Sequence, residues 1–251
     1  MPQAVNDLSR WKGRVALVTG ASSGIGRAVA ERLAQAGMKV AVAARRTERL
    51  EPLRASGDVL PLGVDLRREA DIEEMFAQIR KRWDGVDVLV NNAGLGHRAP
   101  LCSGSTEHWR EMLEVNVLAL CICTREAVRD MRRRGDAGHV IHVSSMAAHR
   151  VPGDSGVYSA TKFAVRALTE GLRQELRADK SKIRVSAISP GFVETEFAAH
   201  YHKSEQAAAE TYGRYQVLSA QDMADTVAWV LGAPDHMQVH DVLIRPRDQT
   251  S

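Results

Sequence analysis

The chain has 251 residues, 44% hydrophobic and 26% charged, with a net charge of +3. That balance fits a folded globular protein and excludes disordered, fibrous and membrane-spanning classes. No apolar stretch reaches the length of a membrane span and the N-terminus lacks a signal-peptide core, so a cytoplasmic protein is expected.

Residues 1–11 are polar and read as a loose arm. An apolar run at 14–18 is short enough for a buried strand. It leads into Thr19-Gly20-Ala21-Ser22-Ser23-Gly24-Ile25-Gly26, and then into a helix over 27–36 with Ala28, Val29, Leu33 and Ala36 at helical spacing. A strand, a glycine-rich turn and a helix start form a dinucleotide site. The glycines let the backbone approach a pyrophosphate, and the helix N-terminus faces it.

Further strands are expected at 39–43, 59–64, 86–90, 139–144, 184–188 and 242–244. Helices are expected at 48–54, 68–82, 106–134, 157–177, 195–215 and 221–231. Strands alternating with helices predict a doubly wound α/β fold of Rossmann type, with a seven-stranded parallel sheet and helices on both faces. No repeat or linker interrupts residues 1–251, which read as one dinucleotide-binding domain. The helical stretch after Pro190-Gly191 carries His200, Tyr201, His202, Tyr212 and Tyr215. Ligands in such sheets bind outside the carboxyl ends of the strands, so a substrate lid is expected at about 195–216.

Cys102, Cys121 and Cys123 form no metal-ligand pattern, and Cys121 and Cys123 read as buried free thiols, so no metal site is expected. Arg132-Arg133-Arg134 closes a helix before Gly135, where cations suit the helix dipole. Without interleaved aromatics it does not predict nucleic-acid binding.

The chemistry lies in Tyr158-Ser159-Ala160-Thr161-Lys162. On a helix, Tyr158 and Lys162 share one face, one turn apart. A Lys ammonium beside a phenol favours the phenolate, and bringing a phenol to the neutral range needs roughly 4 kcal/mol. Such a tyrosine exchanges a proton with an alcohol or carbonyl. Asn116 lies in an otherwise apolar helix, where its amide competes for backbone groups.

With these motifs the chain resembles a short-chain dehydrogenase/reductase along nearly its whole length. The matches are Thr19 to Gly26, Asp65, Asn91-Asn92-Ala93-Gly94, Asn116, Ser145, Tyr158 with Lys162, and Pro190-Gly191 followed by Thr195. The resemblance implies an oxidoreductase that transfers hydride between a nicotinamide and a ketone or secondary alcohol. Tyr158 would be the general acid/base and Ser145, thirteen residues before it, would hold the substrate oxygen. Lys162 would lower the tyrosine pKa and bond the nicotinamide ribose. Asn116 would kink its helix and hold a water beside Lys162.

The implied cofactor contacts are Gly20, Ser22, Ser23, Gly24, Ile25, Gly26, Asp65, Leu66, Asn92, Ala93, Gly94, Tyr158, Lys162, Pro190, Gly191, Val193 and Thr195. Asp65 would hold the adenine amino group, cap the next helix, or both. Thr195 would bond the carboxamide. NAD-preferring relatives end the second strand with an acid. Here Ala44 stands there and Arg45-Arg46 follow. Two guanidiniums beside a missing carboxylate suit a 2′-phosphate, so NADP is expected.

Residues 116–127, His149-Arg150-Val151 and 158–177 resemble one subgroup, which contains vertebrate 3- and 17-ketosteroid reductases and insect farnesol dehydrogenases. That implies a hydrophobic carbonyl or alcohol substrate, steroid-, isoprenoid- or dicarbonyl-like. Ser145, Met146, His149, Tyr158, Phe192 and Tyr201 would line its pocket, with His149 as an aromatic wall in preference to a second acid/base. Pairing through the helices at 106–134 and 157–177 implies a homodimer or homotetramer. A catalytically silent NADP(H)-sensing protein is the alternative, but regulatory relatives usually lose Tyr or Lys of the active pair, and this chain keeps both.

Overall fold

The computed structural model describes residues 7–153 and 155–250. Its centre is a parallel sheet of seven strands in the order β3-β2-β1-β4-β5-β6-β7. The strands are β1 (Val15–Thr19), β2 (Lys39–Ala44), β3 (Val59–Gly63), β4 (Val88–Asn91), β5 (His139–Val143), β6 (Arg184–Pro190) and β7 (Asp241–Ile244). The expected doubly wound fold is therefore present.

Residue-by-residue alternation builds two cores. In β1, Ala16 and Val18 join the core on one face with Val40, Val42, Val88 and Val90. Val15 and Leu17 point the other way, with Ala41, Ala43 and Leu89. Successive strand side chains point to opposite faces. Both faces are covered, so the central strands are apolar at nearly every position. Helices α1 (Gly24–Gln35) and α8 (Ala220–Gly232) cover the first face, and α2 (Glu69–Trp83) and α4 (Ala119–Arg133) cover the second.

Three expected helices are altered. The stretch 48–54 is two short 3₁₀ helices, Thr47–Arg49 and Glu51–Ser56, with Pro52 in the first turn of the second. Proline lacks the N–H that a continuous helix would need there. The stretch 106–134 is α3 (Thr106–Leu113), a π-helical turn (Glu114–Leu118) and α4. The stretch 195–215 is split into α6 (Phe197–His202) and α7 (Glu205–Tyr212). Lys203 stands between them in the left-handed region at φ 52, and Ser204 caps α7 by accepting from the Ala207 amide at 3.2 Å.

The arm is a further correction. Residues 1–6 lie outside the described residues, but Leu8 and Trp11 are buried, and Trp11 Nε1 donates to the Leu231 carbonyl at 2.9 Å. An apolar ring with one donor needs a dry seat and one acceptor, and the end of α8 offers both. The arginine run sits at the close of α4. Arg132 meets Asp179, Arg133 meets Asp84, and Arg134 meets Asp87 at 3.0 Å. Cys123 is buried as expected, whereas Cys121 is half-buried and Cys102 is exposed. Among the described residues no helix is long and apolar enough to cross a membrane.

Candidate active site

Every motif residue lies at the carboxyl end of a strand or on the helix beside it. Strand order reverses between β1 and β4, and this is where open α/β sheets bind ligands. Gly20 adopts φ 67 and Gly24 adopts φ 54, a region costly for side-chain-bearing residues. A Cβ on Gly26 would stand 2.4 Å from Asn92 Nδ2 and 2.5 Å from the Gly20 carbonyl. Asn92 fastens the turn to the end of β4: its Nδ2 donates to the Thr19 carbonyl at 2.9 Å, and Thr19 Oγ1 accepts from the Ala93 amide at 3.0 Å. Below it, Asn91 donates to Thr124 at 3.0 Å, and Thr124 reaches His142 at 3.2 Å. The Asn91-Asn92 pair thus ties the sheet centre together.

Tyr158 and Lys162 lie one turn apart on α5 (Gly156–Ala178), as their spacing predicts. Tyr158 is hydrogen-bonded to Ser145, the serine chosen from the sequence. Ser145 is held by its own place in the chain: it caps a short 3₁₀ turn, Met146–Ala148, and its Oγ accepts from the Ala147 amide at 3.1 Å. The neighbouring Ser144 is buried and its Oγ has no hydrogen-bond partner among the described residues.

The electrostatics reverse one expectation. Burial pushes the Tyr158 phenol up to about 12; the Ser145 hydrogen bond opposes this, and Tyr201 adds to it. Burial also pushes the Lys162 ammonium down to about 8. Lys162 Nζ donates to the Val143 carbonyl at 3.0 Å and lies 5.9 Å from the Tyr158 ring centroid. The expected lowering of the phenol by Lys162 does not arise in this arrangement. Desolvation disfavours each charged form, and the carbonyl takes the short contact of the ammonium.

Asn116 occupies the π-helical turn, so the expected kink is present. Its Nδ2 donates to the Leu95 carbonyl at 2.8 Å and to Thr161 Oγ1 at 3.1 Å, while its Oδ1 accepts from the Leu95 amide at 2.9 Å. The amide thereby clamps the segment after Gly94 against α5. A Cβ on Gly94 would lie in ordinary contact, 3.4 Å from Asn116 Oδ1 and 3.5 Å from Lys162 Nζ, so Gly94 borders both side chains.

The two arginines after β2 diverge. Arg46 Nη2 donates to Ser22 Oγ at 3.2 Å, Ser23 Oγ at 3.3 Å and Glu196 Oε2 at 2.9 Å. Arg45 is exposed and acts on the Asp65 carboxylate. Asp65 is held down to about 2, chiefly by hydrogen bonds from Arg67. It does not cap α2: Arg68 holds that position, and Asp65 instead accepts from the Arg67 amide at 3.1 Å and guanidinium at 3.0 Å. The side chain folds back on the residue two ahead, a local turn that short carboxylates favour. Leu66 lines a small internal space with Thr19, Asn91 and Ala93. A cleft of ≈ 490 Å³ opens between the glycine-rich turn, Arg49 and the segment Glu194, Thr195 and Glu196.

Helix α6 meets the Tyr158 end of α5. Tyr158 lies 5.6 Å from the Phe197 ring and 6.2 Å from the Tyr201 ring, centroid to centroid. All three surround Gly96, where a Cβ would stand 2.8 Å from Tyr201, 2.9 Å from Phe197 and 3.1 Å from Tyr158. Thr195 packs its methyl against Gly24, its Oγ1 accepts from the Phe197 amide at 3.3 Å, and its carbonyl accepts from Tyr212 at 3.2 Å. Val193 is buried and bridges to Leu218. The Phe192 amide donates to Gln249 Oε1 at 3.0 Å, so the C-terminal tail holds the Pro190-Gly191 exit. Met146 is buried with its sulfur against Gly191. His149 Nε2 meets Asp241 Oδ2 at 2.9 Å, and that carboxylate also accepts from Ser189 at 2.8 Å. This imidazole is anchored to β7.

The sequence reading did not name Phe197, Gly96, Arg49 or Glu196. Phe197 carried a signal, an aromatic one turn before Tyr201 on the same helix. Arg49 and Glu196 carried none, since only the fold brings them together.

The chain matches the family short chain dehydrogenase over residues 14–206. It is 51% identical over 255 residues to dehydrogenase/reductase SDR family member 11 of Gallus gallus, spanning 97% of this chain and 100% of the relative. It is 40% identical over 252 residues to farnesol dehydrogenase of Aedes aegypti, spanning 95% and 98%. Among solved structures, the closed form of a serine dehydrogenase complexed with NADP+ superposes with a TM-score of 0.89 at 35% identity, over 94% of this chain and 96% of that one. A family match over most of the chain, full-length relatives and a Tyr158–Ser145 pair just beyond the carboxyl end of β5 agree: the chain belongs to the short chain dehydrogenase family.

Proposed function

We propose that this protein is an NADP-dependent carbonyl reductase and alcohol dehydrogenase acting on hydrophobic ketones or secondary alcohols. The observation that carries the reading is the Tyr158 hydroxyl, hydrogen-bonded to Ser145 and walled by Phe197 and Tyr201. A phenol pushed up to about 12 keeps its proton across the neutral range. It is therefore a general acid in reduction, donating to the substrate oxygen. Ser145 Oγ, fixed by the Ala147 amide, orients that oxygen and steadies charge that develops on it. In oxidation the same phenol, once ionised, takes the alcohol proton.

The residues at the strand ends fit a nicotinamide dinucleotide phosphate. Ser22, Ser23 and Arg46 converge as hydroxyl and guanidinium donors beside the glycine-rich turn, the donor set a phosphate monoester asks for. At the end of β2 itself, Ala44 supplies no carboxylate to take the ribose hydroxyls in place of a phosphate. Gly20, Gly24, Ile25 and Gly26 would present the α1 N-terminus to the pyrophosphate. Lys162 and Asn92-Ala93-Gly94 would hold the nicotinamide half, with Pro190, Gly191, Val193 and Thr195 at the carboxamide, and Asp65 with Leu66 at the adenine. When bound, NADPH supplies the hydride. Lys162, though lowered to about 8, is still largely protonated at neutral pH and can donate to a ribose hydroxyl. Solved relatives complexed with NADP+ and with NADPH support this cofactor.

The apolar rings over Tyr158 speak for an isoprenoid-, steroid- or dicarbonyl-like substrate, in line with the name of the mosquito relative. We further propose that the chain is one domain whose lid is residues 195–216, that it works in the cytoplasm, and that it forms a homodimer or homotetramer through α4 and α5. Exposed Leu113, Leu118 and Phe163 on α3, the π-helical turn and α5 support that pairing.

The test is loss of NADPH near-ultraviolet absorbance with ketosteroids, isoprenoid carbonyls, dicarbonyls and small hydroxy acids. Turnover of the apolar carbonyls is expected. Tight NADPH binding with no turnover anywhere would establish a sensor instead, and faster turnover of hydroxy acids would overturn the substrate class.

A further inference from the structure

Glu196 follows Thr195 at the start of the lid and touches the opposite wall of the cofactor cleft. Its Oε2 accepts from Arg46 at 2.9 Å and its Oε1 from Arg49 at 2.6 Å. Ser23 adds a hydrogen bond, and His200 stands 3.8 Å away. The three charged side chains are about equally exposed, at 38%, 43% and 41% for Arg46, Arg49 and Glu196, and Arg49 and Glu196 line the cleft. Arg46 holds the carboxylate with the same Nη2 that reaches Ser22 and Ser23.

A carboxylate and a phosphate monoester make the same demand on guanidinium and hydroxyl donors. The two hydrogens of Nη2 are already shared among Glu196, Ser22 and Ser23, so a phosphate there must take a donor from that set, and two anions side by side repel. We infer that Glu196 is a built-in competitor for the phosphate monoester of the cofactor: its carboxylate holds Arg46 and Arg49 until that phosphate displaces it, and the displacement frees the N-terminus of the lid. The inference rests on the NADP reading of Arg46. It adds that Glu196 sets the affinity for the phosphate and that Arg49 is its second anchor. It also couples two sites, because whatever separates Glu196 from Arg46 helps both phosphate binding and lid movement.

The probes are adenosine 2′,5′-bisphosphate, which carries the phosphate without a nicotinamide, and 5′-AMP, which lacks the 2′ group. Calorimetry on the parent and on Glu196→Gln measures both affinities. Half-exposed ion pairs are individually weak, so Glu196→Gln should tighten the bisphosphate by about three- to tenfold and leave 5′-AMP unchanged. Hydrogen exchange over residues 197–202 supplies a readout that general charge repulsion would not move. In the parent, the bisphosphate should raise exchange there and 5′-AMP should not. In Glu196→Gln, exchange should be high from the start. Unchanged or weaker bisphosphate binding by Glu196→Gln overturns the inference, as does a parent lid indifferent to the bisphosphate. A parent that binds the two probes equally removes the NADP reading, and the inference falls with it.

Discussion

Lys162 lies over the ring of Tyr158, its Nζ 5.9 Å from the centroid, while the same nitrogen donates to the Val143 carbonyl at 3.0 Å. The lysine therefore faces the tyrosine ring while its short polar contact goes to the end of β5. Both groups are shifted by burial, in opposite directions, and the pH behaviour expected of the proposed reaction follows from those shifts.

On the proposed mechanism, reduction needs a protonated Tyr158 and a charged Lys162. The phenol, at about 12, stays protonated throughout the useful range, whereas the ammonium, lowered from 10.5 to about 8, loses its proton first. The reductive kcat/KM should be level below about pH 8 and fall by up to about tenfold per unit above it. Stability follows the opposite sign. Between about 8 and 10.5 the unfolded chain holds a proton on this lysine that the native one has lost, so its contribution rises with pH in that window. A reductive profile still level at about pH 10 would remove Lys162 from this role.

Tyr158→Phe keeps the ring against Phe197 and Tyr201 and deletes the proton. Turnover should fall by about a hundredfold or more while NADPH affinity stays within about threefold. Steady-state kinetics with a fluorescence titration separates the two. Activity retained within about tenfold would show that another group donates the proton.

Gly26→Ala tests the glycine-rich turn as packing. The new methyl would stand 2.4 Å from Asn92 Nδ2 and 2.5 Å from the Gly20 carbonyl, and backbone cannot give way cheaply. Overpacking of this kind costs about 1–3 kcal/mol. For a chain of this size that lowers the melting temperature by about 2–12 °C. An unchanged melting temperature would mean that the turn shifts freely.

The divergence of Arg45 and Arg46 gives unequal expectations. Arg46→Leu, which removes the donor beside Ser22 and Ser23, should weaken NADPH by about ten- to a hundredfold. Arg45→Leu should change it by less than about threefold, since an exposed pair contributes little. Adding Ala44→Asp to Arg46→Leu should raise kcat/KM with NADH, because a carboxylate can accept from free ribose hydroxyls. Equal losses from the two arginines, measured with one fixed ketone, would contradict the geometry.

Much of the site was legible because it is written in short-range periods. The four-residue step from Tyr158 to Lys162 is one helical turn, and the family resemblance at Asn116 implied the irregular turn found at Glu114–Leu118. Apolar runs marked all seven strands, since a sheet covered on both faces leaves no polar alternation. The misreadings are also physical. Pro52 and Lys203 broke helices that composition favoured. Trp11 buried an arm that looked merely polar. Asp65 turned to Arg67 instead of capping α2.

The alternation of strands and helices, the glycine-rich turn and the shared face of Tyr158 and Lys162 can be read from neighbouring residues, because each is a pattern repeated within a turn or a strand. Which cation meets which anion, and which ring covers Tyr158, depends on how distant segments pack. Arg46 and Arg49 find Glu196, and Phe197 finds Tyr158, across segments that the sheet order alone brings together. The direction of the Tyr158 and Lys162 shifts belongs to the same class. Burial is a property of everything packed around a group, and here it outweighs the neighbour that sequence spacing provides.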